Sequence, residues 1–113
     1  GPQFSPLHAL FDSMADEHRG WYDQVAERRR ALGEAADARL SSLAGSPLPE
    51  MPAGSLPGDR AVALLLERVD EAAGRARASL EALGAVDPVS QDLAIGIVEG
   101  LEKQAWMLRA QSR

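Results

Sequence analysis

No cysteine occurs anywhere in the chain, which removes disulfides, thiolate metal sites and cysteine nucleophiles together. That suits a reducing compartment, and a cytoplasmic location is expected. No apolar run approaches the ~18 residues of a membrane span, and no charged-then-apolar signal segment opens the sequence, so neither membrane insertion nor export is expected. Aromatic residues make up only 4% of the chain and β-branched residues are sparse, while alanine and leucine dominate. This balance favours an all-α protein over one built on sheets. There is no glycine-rich phosphate loop, nucleophile elbow or HExxH motif. The formal net charge of −5 argues against binding nucleic acid through the chain's own field, and is compatible with handling cations. At 113 residues the chain holds one domain with a modest core.

The apolar spacing predicts three long amphipathic helices and one short one. The first runs from about Gln3 to Leu32, stopped by Gly33. A short helix follows from Glu34 to Leu43, closed by Gly45. Residues Ser46 to Gly58 gather Pro47, Pro49, Pro52 and Pro57 and read as a loop. Ser55 or Asp59 caps the next helix, which keeps apolar residues at helical spacing from Val62 to Leu83 and ends at Gly84. Gly74, inside that pattern, weakens the helix or admits a close neighbour. Asp87-Pro88 then supplies an N-cap with proline at the first helical position. The last helix carries Leu93, Ile97, Val98, Leu101, Ala105 and Leu108 on one face and ends among Arg109 and Arg113. Antiparallel bundles close more often with four long helices, so an N-terminal helix is expected to be missing from the sequence as given.

The first helix carries the candidate chemistry. His8 and Asp12 stand four residues apart, as do Asp23 and Glu27, so each pair shares a face. Asp12 and Asp23 differ by about 1100° of helical rotation, which puts all four side chains on one stripe. Along the axis those two aspartates lie roughly 16 Å apart, too far for one ion whose bonds are about 2.0–2.6 Å long. Two readings follow from the residues. The stripe lies opposite the apolar positions Phe4, Leu7, Phe11, Met14, Trp21, Val25 and Leu32, where a solvated charged face belongs. Alternatively, two copies of the helix packed about a twofold axis bring the His8/Asp12 end of one to the Asp23/Glu27 end of the other. One imidazole with three carboxylates suits iron or manganese.

The runs Gly1-Pro2-Gln3-Phe4, Leu7-His8, Phe11-Asp12, Asp23, Ala26-Glu27-Arg28 and Leu32-Gly33 resemble the second helix of the Dps family, the ferritin-like miniferritins. Leu101-Glu102-Lys103-Gln104-Ala105-Trp106-Met107-Leu108-Arg109-Ala110 is similar to that family's last helix. The resemblance implies a ferritin-like four-helix bundle, with a short helix in the long crossover, assembled as a homo-oligomer into a hollow dodecamer. It implies a ferroxidase, oxidising ferrous iron with hydrogen peroxide and storing the ferric mineral. His8 and Asp12 match the metal ligands of one subunit, Asp23 and Glu27 those of its mate. The family's other histidine ligand lies on the preceding helix and falls ahead of Gly1. The single domain spanning residues 1–113 is therefore expected to be N-terminally incomplete, and contact with DNA is left to segments outside this chain. The alternative is a non-catalytic helical assembly, or a DNA-protecting stress protein with an impaired iron site.

Remaining residues read more simply. His18 is expected at the surface or an interface. Asp16 and Glu17 read as solvated charges. Arg28, Arg29 and Arg30 complement a helix C-terminus and pair with Glu34 or Asp37. Trp21, Tyr22 and Trp106 lack a basic patch for stacking bases and read as core or interface packing.

Overall fold

The computed structural model describes residues 4–44 and 58–111. Every element within them is a helix: α1 (Phe4–Arg30), α2 (Glu34–Ala44), α3 (Gly58–Val86) and α4 (Pro88–Gln111). The all-α architecture is thus the one the sequence predicts. The start at Gln3, the closure at Gly45 and the loop from Ser46 to Pro57 lie outside the described residues, as does Arg113. Gly58, expected in that loop, is the first residue of α3.

Local chemistry explains most boundaries. After Arg30 the chain tightens: Ala31 N–H donates to the Arg28 carbonyl and Leu32 N–H to that of Arg29. Such three-residue steps satisfy carbonyls that a helix end would otherwise orphan. Gly33 belongs to the next helix as much as to the last one. Its carbonyl accepts the Asp37 N–H at 3.1 Å, the first rung of α2.

Gly84 does not end α3, which continues to Val86. A Cβ at Gly84 would sit 2.3 Å from Gln91 Nε2, and that amide donates to the Leu80 carbonyl at 3.1 Å. The glycine clears room for a side chain of α4. Asp87 alone links the two helices, its N–H donating to Leu83 O and its carbonyl accepting from Gln91 N–H. The expected N-cap is present, with Ser90 N–H donating to Asp87 Oδ2 at 3.2 Å.

The α3–α4 hairpin is the most extensive packing in the molecule, and α1 and α2 lie across it. Val62, Leu65, Val69 and Leu83 of α3 meet Ala94, Val98, Leu101 and Leu108 of α4. Met14 and Val25 come from α1 and Leu40 from α2, each 2% exposed or less. Leu80 and Leu93, apolar positions of α3 and α4, are only partly buried against it. The radius of gyration is 15.3 Å, against about 13 Å for a compact chain of this length, as long side-by-side helices require.

Helices α1 and α3 hardly touch. Between them runs a mostly apolar cleft, flanked by Trp21 and Tyr22 of α1 and Ala72 and Ala76 of α3, and floored by Ile97 and Leu101 of α4.

Candidate metal centre

A helix that buries one stripe must present the opposite one, and α1 presents all four candidate ligands. His8, Asp12, Asp23 and Glu27 are exposed. His8 Nε2 lies 3.3 Å from Asp12 Oδ2, with the two side chains 59% and 68% exposed. The first pair is thus brought together, while Asp23 and Glu27 stand one above the other further along the helix. Among the described residues of one chain, no three His, Asp or Glu side chains approach closely enough to share an ion. A single copy holds two separate pairs.

The inner face of α1 is seated against α4 at three heights. His18 is 6% exposed, and its Nε2 lies 2.8 Å from Gln104 Oε1. Gln104 Nε2 in turn donates to Glu17 Oε1 at 3.3 Å. The position expected for His18, at the surface or an interface, is therefore corrected to one buried within the chain: it follows Met14 by four residues and precedes Val25 by seven, spacings that place it on the buried face. Loss of water drives its pKa below 6.5, opposed by the Gln104 hydrogen bond and the Glu17 charge. Trp21 packs beside it with the two rings tilted by 58° and their centroids 4.7 Å apart, and lies over Gly100 of α4.

Arg28 makes the third contact, and here the expected pairing is also corrected. Its Nη2 donates to Asp87 Oδ2 at 2.6 Å, and Arg29 is the one that pairs with Asp37, at 2.7 Å. Ser90 Oγ donates to the same Asp87 oxygen at 2.5 Å. These hydrogen bonds, Ser90's first and then Arg28's, hold the Asp87 carboxyl down at about 2. Arg28 faces α4 because it lies seven residues past Trp21, two turns along the same face.

Asp16, read as solvated, pairs with Arg19 on the surface. Trp106 is 67% exposed, so it packs in no core of this chain. No helix among the described residues is long and apolar enough to cross a membrane.

Comparison with known proteins shows what the whole chain is similar to. The ferritin-like domain matches residues 1–113. The fine tangled pili major subunit of Haemophilus ducreyi is 34% identical over 111 residues, which is 97% of this chain and 59% of that protein. DNA protection during starvation protein 2 of Bacillus anthracis is 32% identical over 112 residues, 97% of this chain and 76% of its own length. The DNA protection during starvation protein of Brevibacillus brevis is 32% identical over 111 residues, covering 97% and 74%. The chain therefore spans about three fifths to three quarters of these relatives. With a domain match along its whole length and starvation-protection relatives aligned over most of theirs, the chain belongs to the ferritin-like Dps family.

Proposed function

We propose that the protein binds ferrous iron as its substrate at sites shared between two copies, oxidises it with hydrogen peroxide and stores the ferric product within a dodecameric shell. The observation that carries this reading is the exposed stripe of α1. His8 with Asp12, and Asp23 with Glu27, face away from everything the chain buries, and their separation excludes a common ion within one helix. A twofold axis makes each half complete the other. His8 and Asp12 of one subunit would then hold the ion with Asp23 and Glu27 of its mate. Three anionic oxygens hold the more highly charged ferric ion more firmly than the ferrous one, so this ligand set favours oxidation. The starvation-protection names of the relatives agree with such a role. The same reading seats a further helix of the bundle in the cleft between α1 and α3, from a segment outside this sequence. Its support is the apolar lining of that cleft.

The second reading is an assembly without iron chemistry, and one observation favours it: a relative of comparable identity is a pilus subunit. Anaerobic titration with ferrous iron, followed by peroxide and absorbance of the ferric product, separates the two. His8→Ala and Asp23→Asn should each slow oxidation by about tenfold or more, as loss of a directly bound ligand does at least as much damage as loss of its supporting partners. If the double variant binds and oxidises iron like the wild type, the site lies elsewhere. An assembled wild type that forms no ferric product would establish the second reading.

A further inference from the structure

We propose that Trp21 and Gly100 form a steric key that fixes the rotation of α1 about its own axis and so aims the Asp23/Glu27 half-site; the inference rests on the iron-oxidising reading of those carboxylates. The contacts of α1 on α4 run in antiparallel register, His18 to Gln104, Trp21 to Gly100, and Arg28 to Asp87 and Ser90. The outer two are hydrogen bonds between polar side chains, which tolerate a degree of roll. The middle one does not. A Cβ at Gly100 would lie 2.3 Å from Trp21 Cζ2, 2.9 Å from Cη2 and 3.3 Å from Cε2, whereas carbons in contact keep about 3.5–4.0 Å. Only a residue without a side chain leaves the indole its seat. Gly96, one turn earlier on α4, meets nothing within 4 Å of an added Cβ, so the notch is local to Gly100.

What this notch controls follows from helix geometry. Asp23 lies two residues beyond Trp21, about 200° around the helix, and Glu27 six residues beyond, about 240°. Seating the indole inward therefore turns both carboxylates outward. Because α1 barely touches α3, the described residues on that side do little to set its roll. A methyl at Gly100 must drive the rigid ring back by about 1 Å or more. Functional groups need placement within about 0.5 Å, and a misplacement of about 1 Å can cost 10²-fold in rate. Trp21 and Gly100 touch neither iron nor oxidant in this scheme and act as positioning residues.

The test uses the assembled full-length protein carrying Trp106→Phe, so that Trp21 is the tryptophan of this chain that reports fluorescence. Gly100→Ala should shift Trp21 emission to the red and slow ferrous oxidation by about 10- to 100-fold. Gly96→Ala, which adds the same methyl to the same helix, should change neither. Gly100→Ala combined with Trp21→Leu removes the clash and should recover oxidation to within about threefold of the Trp106→Phe parent. A residue that merely fills space predicts the reverse, since the double variant would be the more damaged. If Gly100→Ala alone fails to fold, recovery in the double variant still supports the key. Wild-type oxidation in folded Gly100→Ala overturns it, and so does a folded double variant as slow as Asp23→Asn. An Asp23→Asn protein that oxidises iron normally is a separate result: it overturns the reading of the half-site and, with it, the proposal.

Discussion

His18, sealed between α1 and α4, exchanges water for one amide oxygen, and that exchange is coupled to folding. Its folded pKa lies below 6.5 because burial disfavours the imidazolium, against the weaker pull of Gln104 and Glu17. As pH falls through about 6.5 the unfolded chain takes up the proton first, so stability present above that value is lost below it. His18→Gln keeps an amide N–H for Gln104 and cannot charge. The melting temperature of the wild type should therefore fall more than that of His18→Gln between about pH 7.5 and pH 5. Parallel curves in circular dichroism would show that His18 does not titrate against the fold. The residue's burial was legible in its spacing from Met14 and Val25. The role of Gly100 was not, because a glycine within a helical pattern reads as lost propensity until the partner ring that crosses it is known.

Among the elements, the start of α4 was fully legible, since Asp87-Pro88 combines a side-chain cap with a ring that lacks the unneeded N–H. The end of α3 was not. A glycine after an apolar run signals a stop when its backbone must turn, but Gly84 stays helical and serves the Gln91 side chain. Gly84 and Gly100 therefore differ in what they accommodate: one faces the free end of a flexible amide, the other a rigid ring. Gly84→Ala would displace the Gln91 amide and lose its bond to the Leu80 carbonyl, about 0.5–1.5 kcal/mol, while gaining about 1 kcal/mol of helix propensity. The two nearly cancel. Urea unfolding should place Gly84→Ala within about 1 kcal/mol of the wild type, and a loss well beyond that would mean Gln91 cannot swing aside. The stripe of α1 was legible as a stripe, but one chain places its ends apart, and no sequence pattern shows what, if anything, brings those ends together.

At the scale of the molecule, the cleft between α1 and α3 leaves apolar groups facing solvent, and Val89, Ile95 and Trp106, outside the cleft, are exposed as well. Residues 1–113 produced alone should therefore self-associate or melt without a sharp transition. A monodisperse monomer with cooperative melting, seen by light scattering and calorimetry, would count against a further helix seated in the cleft. The outward aim of the four candidate ligands has another consequence. His8, Asp12, Asp23 and Glu27 contribute nothing to the packed interior, so replacing any of them leaves the bundle's own assembly instructions intact. If the proposed iron chemistry resides there, selection can erase or restore it one codon at a time without passing through an unfolded ancestor, and shape alone is no guide to which members of such a lineage handle metal.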